Sequence, residues 1–316
     1  MKYPIVYLKK NEDRRLRAGH VWIYSNEIDV QRSSLKSFQP GQLVNIISYG
    51  GRPLGTGYIN PALLLCVRLL TEQPDATINA TFFEEKLMKA LQVRDDYFTV
   101  PCYRLIFGES DGLPGLVVDR FYDTLVVQIN SAGMETLKDH IIAALKTVIK
   151  PQHILIRADG GARELENLPK YTEVALGNPA ALIAMEENGV KFTAPVFDGQ
   201  KTGWFYDHRL NRASLNSIVK GKRVLDVFSY IGGWGIQAAC AGAKHVTCID
   251  SSAKAIELVR QHAQLNNVAD KVTAIEQDAF AAMDELISAQ QQFDVVILDP
   301  PAFIKRRKDM EAGKQA

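Results

Sequence analysis

The chain has 316 residues, longer than the roughly 250 at which single cores stop growing, so two or three domains are expected. With 47% hydrophobic and 23% charged residues and no low-complexity tract, the composition excludes a disordered chain. No stretch approaches the ~20 apolar residues of a membrane span and no secretory cleavage pattern opens the sequence, which sets a cytoplasmic protein with no membrane contact as the expectation.

The net charge of +1 is unevenly spread. Residues 1–72 carry ten Lys/Arg against five Asp/Glu, residues 73–190 eleven against seventeen, and residues 191–316 sixteen against fourteen. The basic end is therefore N-terminal, as contact with a polyanion requires. Its 72 residues read as short strands, Ile5–Leu8, Gly41–Ile47, Leu54–Ile59 and Leu63–Leu70, punctuated by Pro40-Gly41, Gly50-Gly51 and Asn60-Pro61. Lys9, Lys10, Arg14, Arg15, Arg17 and His20 stand beside Trp22 and Tyr24. Cations next to aromatics suit phosphate contact with base stacking; the two aromatics suit the core of a small barrel equally well.

The middle of the chain predicts an α+β unit: a helix over 81–97, a strand over 125–129, a helix over 134–148, and strands over 153–157 and 190–194. The turn-rich stretch Gly108-Glu-Ser-Asp-Gly-Leu-Pro-Gly115 is read as the bend of a hairpin in preference to a phosphate cradle. Cys66, Cys102, Cys240 and Cys248 form no Cys-x-x-Cys pair, so they point to buried small apolar residues and not to a zinc site or disulfide framework.

From residue 220 strand and helix alternate, with strands over 223–228, 245–250, 272–276 and 293–298 and helices over 233–241, 253–266 and 280–289. Such a series predicts a parallel, doubly wound sheet with its ligand across the carboxyl ends of the strands. The first strand ends in Asp226, Phe228 and Ser229 and runs into Gly232-Gly233, where glycines admit a ligand to the backbone. Asp250, followed by Ser251, lies eighteen residues beyond Gly232 (250 − 232), suited to accept from a ribose diol. Asp278, followed by Ala279, is suited to accept from an adenine amino group, although both acids also stand where carboxylates cap helices. A glycine turn with a second-strand acid fits a nicotinamide fold as well. The Gly-Gly-x-Gly spacing and the run Asp299-Pro-Pro-Ala-Phe303, which stiffens a loop displaying a carboxylate, favour S-adenosyl-L-methionine and a methyltransferase acting on a base.

Two resemblances extend this reading. Arg14-Arg-Leu-Arg17, Gly19-His20-Val-Trp22-Ile-Tyr24, Pro40-Gly41 and Gly55-Thr-Gly-Tyr-Ile-Asn60 resemble a PUA domain, an RNA-binding β-barrel. Gln200-Lys-Thr-Gly203 with Asp207-His-Arg209, the Leu225-Asp-Val-Phe-Ser-Tyr-Ile-Gly-Gly run and Asp299-Pro-Pro-Ala-Phe303 resemble the ribosomal large-subunit methyltransferase I family, across the whole chain. His208 and Trp204 stand where that family often has Gln and Phe.

The resemblance implies an α/β protein of three modules: a PUA-like barrel over 1–72, an α+β connector over 73–190 and a class I, Rossmann-like methyltransferase sheet over 191–316, incomplete in this chain. It implies S-adenosyl-L-methionine held by Thr202, Asp226, Phe228, Ser229, Gly232, Gly233, Asp250, Ser251, Asp278 and Ala279, with Asp299 on the target base. The implied partner is ribosomal RNA, and a homodimer is compatible with the sequence. The implied product is 5-methylcytosine in 23S ribosomal RNA, whose chemistry needs a cysteine thiolate on the ring. None of the four cysteines suits that role, so the nucleophile is expected beyond Ala316 and the 316-residue chain is expected to be truncated and itself inactive. An RNA-binding protein with a degenerate or truncated methyltransferase domain, and an NAD-dependent oxidoreductase, are the alternatives.

Overall fold

The computed structural model describes residues 1–302 and 304; Phe303 of the Asp-Pro-Pro-Ala-Phe run and residues 305–316 lie outside the described residues. The chain forms two compact units, one of Met1–Ile183 with Pro195–Trp204, the other of Ala184–Ala194 with the chain from Phe205 onward. Among the described residues no helix is long and apolar enough to cross a membrane.

The first unit begins with β1 (Ile5–Tyr7), α1 (Arg14–Arg17), β2 (Trp22–Tyr24), β3 (Gln42–Ile47), β4 (Pro53–Ile59) and β5 (Leu65–Thr71). Its strands form one sheet in the order β1-β3-β4-β5-β2, closed over Val6, Leu8, Ile23, Val44, Ile46 and Val67. There follow α2 (Ala80–Tyr97), β6 (Cys102–Phe107), β7 (Leu116–Phe121), β8 (Thr124–Ile129), α3 (Ala132–Thr136), α4 (Lys138–Val148), β9 (His153–Ala158), α5 (Ala162–Leu165) and β10 (Tyr171–Leu176). These strands make a second sheet, β10-β9-β8-β7-β6. Residues 108–115 are the hairpin bend expected between β6 and β7, with Gly112 and Gly115 in the left-handed region. The single helix expected over 134–148 is instead two, broken at Leu137, where ψ rises to 8° and the side chain turns into the core.

One core serves the barrel strand β4 and the second sheet. Tyr58 is fully buried in it, and its hydroxyl donates to the Pro114 carbonyl at 2.7 Å and lies 2.9 Å from Ser131 Oγ. Burying a phenol costs little only because both partners are supplied.

The second unit opens within β11 (Leu182–Glu187), from Ala184, and takes in β12 (Val190–Pro195) as far as Ala194; the two strands are joined through Asn188 and Gly189, both at positive φ, as a two-residue hairpin turn demands. After residues 195–204 the chain returns in α6 (Arg209–Ser214), β13 (Arg223–Val227), α7 (Gly233–Cys240), β14 (His245–Asp250), α8 (Ala253–Leu265), β15 (Val272–Glu276), α9 (Ala279–Ser288) and β16 (Val295–Leu298). The expected sheet is present, parallel throughout in the order β15-β14-β13-β16. Successive strands step outward from β13 to β15, and β16 then pairs on the opposite side of β13. The carboxyl ends of β13 and β16 therefore flank the topological switch, where such sheets bind ligands. Helix α8 presents Ile256, Val259 and Ala263 inward, and its Ser252 cap accepts from the Ala255 amide.

Candidate active site

The turn leaving β13 is conformationally costly. Phe228, Tyr230 and Gly232 have φ of 63°, 48° and 81°, and each non-glycine residue there costs about 1–2 kcal/mol. Three bonds hold the turn: Ser229 N–H to the Ile249 carbonyl at 2.9 Å, Gly232 N–H to the Ser229 carbonyl at 2.8 Å, and Tyr230 N–H to Asp250 Oδ2 at 2.8 Å. Helix α7 then packs on the sheet, its backbone at Gly235 close against the side chains of Cys248, Asp226 and Val246. A Cβ on Gly235 would stand 2.4 Å from Cys248 Sγ, and the Gly235 amide donates to Asp226 Oδ2 at 2.9 Å.

Four carboxylates gather around this turn. Asp226 is fully buried; burial pushes its carboxyl up, the Gly235 amide draws it back, and the charges of Asp299 and Asp250 raise it again, to about 7. Its Oδ1 and the hydroxyl of Ser229 are buried and make no hydrogen bond among the described residues, which a polar ligand would remedy. Asp250 accepts from Tyr230 N–H through Oδ2 and from Ser252 N–H through Oδ1 at 2.9 Å, and each oxygen keeps a second lone pair. Asp278 caps α9, Oδ1 accepting from the Phe280 and Ala281 amides. Asp299, at the end of β16, accepts from Trp234 Nε1 at 3.1 Å and lies 3.8 Å from His208 Nε2. Phe228 and Phe280 meet edge to face at 6.4 Å between the Asp226 and Asp278 ends. Gly233 is buried in the first turn of α7, Ala279 is buried in α9 and Ser251 is exposed. Thr202 belongs to the first unit, where it is buried and its hydroxyl donates to Asp119, itself paired with Arg104 at 2.8 and 3.0 Å.

Sequence patterns gave no sign of the polar core behind the turn. Glu187 accepts from Arg212 Nε at 2.6 Å and Nη2 at 3.1 Å and from Gln237 Nε2 at 2.9 Å, and Asn188 donates to Gln237 Oε1 at 2.8 Å. These partners come from β11, α6 and α7, and no short motif links them. His262 does similar work on the other flank: Thr193 N–H donates to its Nε2 at 3.0 Å, so Nδ1 carries the proton donated to the Ile231 carbonyl at 2.9 Å.

Burial holds the His262 imidazole below its usual range, with the Ile231 and Thr193 backbone bonds pulling it partly back. An unfolded histidine charges near pH ~6.5 while the folded one resists, so the unfolded state takes up the extra proton. The second unit should thus lose stability as pH falls below ~6.5 and be indifferent to this group above it. Denaturant unfolding from pH 5 to 8 checks this, and an unchanged acid slope in His262→Gln would remove the assignment.

On the barrel, Lys9, Lys10, Arg14, Arg17 and His20 are exposed, and Arg15 lies over Tyr24 while pairing with Glu27 at 3.1 Å. Lys9 also bonds the Asn26 carbonyl, and Arg17 pairs with Asp13. Trp22 is 36% exposed and so not a core residue, and its indole donates to Glu109 at 2.9 Å. Arg17 and Arg52 line a cavity of about 310 Å³ walled by Leu16, Leu54 and Leu69. Cys66, Cys102 and Cys248 are buried as expected; Cys240, the last residue of α7, is exposed, because the helix ends there and turns away.

Comparison with known proteins agrees with this layout. A PUA-like domain model matches residues 6–72, and the model described as conserved hypothetical protein 95 matches residues 205–311. The ribosomal RNA large subunit methyltransferase I of Aliivibrio fischeri is 36% identical over 310 residues, 96% of this chain and 78% of that protein. The protein of the same name from Shewanella frigidimarina is 35% identical over 98% of this chain and 78% of its own length. Among solved structures, a candidate SAM-dependent methyltransferase from Streptococcus mutans superposes with a TM-score of 0.81 at 21% identity, over 99% of this chain and 82% of that one. A second candidate methyltransferase, solved in complex with SAH, does so at 0.81 and 22% identity, over 98% and 78%. At that identity the two structures speak for the fold alone.

Proposed function

We propose, proceeding from the fact that the chain belongs to the ribosomal RNA large subunit methyltransferase I family, that it moves a methyl group from S-adenosyl-L-methionine to a base of large-subunit ribosomal RNA, carbon 5 of a cytosine being the finer reading. The observation that carries it is the convergence of Asp226, Asp250, Asp278 and Asp299 on the strained turn at the switch point, with Asp226 Oδ1 and Ser229 Oγ still lacking partners among the described residues.

Those groups fit the cofactor chemically. Asp250 would accept from the ribose diol, Asp278 from the adenine amine, and Asp226 with Ser229 would meet the amino-acid end, beside the backbone of Gly232 and Gly233. Phe228 and Phe280 would flank the adenine ring. When bound, the cofactor supplies a methyl group on a sulfonium centre. The chain's own task is to orient: Asp299 holds an N–H edge of the base, and Lys9, Lys10, Arg14, Arg15, Arg17 and His20 meet the phosphates from the barrel. The division into barrel, connector and methyltransferase modules at residues 72 and 190 is kept as a functional division.

A thiolate attack on cytosine draws on none of the four cysteines. Burial pushes the Cys248 thiol well up beneath Gly235, raises Cys240 and carries Cys66 to about 12.

The test incubates the protein with large-subunit RNA and isotope-labelled S-adenosyl-L-methionine, then identifies the nucleoside by mass spectrometry. A labelled methyl group on a base of the RNA is the expected result, and it is 5-methylcytidine where a thiolate other than these four cysteines reaches the ring, as the carbon 5 reading requires. Label on another base overturns the carbon 5 reading, and salt-sensitive RNA binding with no transfer points instead to an RNA-binding protein.

A further inference from the structure

Asp299 stands on an exposed loop after β16, with a side chain 40% exposed, yet a carboxylate that positions a base must not wander. Two aromatic residues from other elements reach it. Trp234, in the first turn of α7, donates its indole N–H to Asp299 Oδ2 at 3.1 Å. His208, just ahead of α6, brings Nε2 to 3.8 Å from the same oxygen, and its ring lies 5.6 Å from that of Trp234. The opposite edge of His208, Nδ1, is buried and makes no hydrogen bond among the described residues. Trp234 is braced in turn, for the Arg212 guanidinium sits 5.8 Å from its ring centre and is itself clamped by Glu187 and the Phe205 carbonyl.

We infer that Trp234 is a positioning residue, its indole N–H fixing Oδ2 of Asp299 so that Oδ1 is presented to the incoming base, with the His208 ring standing beside the same oxygen at 3.8 Å, outside hydrogen-bond reach. This rests on the reading of Asp299 as the base-holding acid. A carboxylate anchored through one oxygen loses its torsional freedom before the substrate arrives, so the orientation cost falls outside the catalytic step.

Trp234→Phe keeps the ring and removes only the donor. It should lower kcat about tenfold, the usual worth of one hydrogen bond to a charged group, with RNA KM and cofactor Kd within twofold of wild type. Trp234→Phe placed on Asp299→Ala should slow that variant no further, because the donor acts through the missing carboxylate. In 15N-labelled protein the indole N–H resonance of Trp234, told apart from those of Trp22 and Trp204 by its absence in Trp234→Phe, should move in Asp299→Ala; this arm needs no folded Trp234 variant beyond the assignment. An unchanged kcat, a cofactor Kd weakened as much as kcat, additive losses in the double variant, or an unmoved indole resonance each overturn the inference. If wild type transfers no methyl to any RNA, the proposed function falls and takes this inference with it; a fully active Trp234→Phe sinks the inference alone.

Discussion

Glu187→Ala is expected to take about 3–5 kcal/mol from the stability of the second unit, the cost of leaving a buried charge without its counterion. Both partners are almost completely inaccessible, with side-chain exposures of 3% for Arg212 and 0% for Glu187, and the guanidinium meets the carboxylate through two nitrogens at 2.6 and 3.1 Å. The loss spreads beyond the pair, because Gln237 of α7 bonds the same carboxylate and Asn188 bonds Gln237. Glu187→Gln, which keeps shape and acceptor but not charge, should recover part of the loss. Guanidinium unfolding followed by circular dichroism reads the effect. A Glu187→Ala protein within 1 kcal/mol of wild type would mean that water replaces the carboxylate and that the site is less closed than its burial indicates.

Asp250→Ala is expected to weaken S-adenosyl-L-methionine binding roughly 5- to 150-fold, equivalent to about 1–3 kcal/mol, for two reasons that act together. An acceptor for the ribose diol disappears. The Tyr230 amide also loses the carboxylate that holds it in a left-handed conformation, so the turn bordering the cofactor relaxes. Asp250→Asn should fall between, since one carbonyl acceptor survives. Calorimetric titration decides the matter, and an unchanged Kd in Asp250→Ala would strip the residue of its role.

The parts of the fold legible from sequence are those in which a strong period meets clear punctuation. The four strands and three helices after residue 220 appear within two residues of their expected bounds because short apolar runs stand between turn residues and helix caps; β13 and β14 are the buried strands, whereas β16 leaves Val296 and Leu298 exposed. Strand β11 lies outside the expected strands: Leu182-Ile-Ala-Met-Glu-Glu187 alternates outward and inward positions, but its last inward position holds the carboxylate of Glu187, which breaks the apolar alternation a sequence shows. Nor is a buried ion pair visible in a linear pattern, since Arg212 reads as one more surface cation until Glu187 is brought against it. Among the site residues, the acids at strand ends were legible because strand ends are where such sheets place ligand groups. Asp278 uses Oδ1 to cap α9, accepting from the Phe280 and Ala281 amides, a use that composition does not reveal. Trp234 read as the variable position between glycines, and only the paired strands β13 and β16 bring it to Asp299.

The β11–β12 hairpin also sets an order of events during synthesis. It is made before residues 195–204, which belong to the other unit, and its Thr193 is sealed by His262, a residue 69 positions later. At the ~5–20 residues per second of translation, the finished hairpin waits on the order of 3–14 seconds for that histidine. During that interval Phe192, whose buried ring meets that of His262 edge to face in the folded chain, lacks this cover. The nascent chain is thus most exposed to misassociation while α7 and β14 are still being translated.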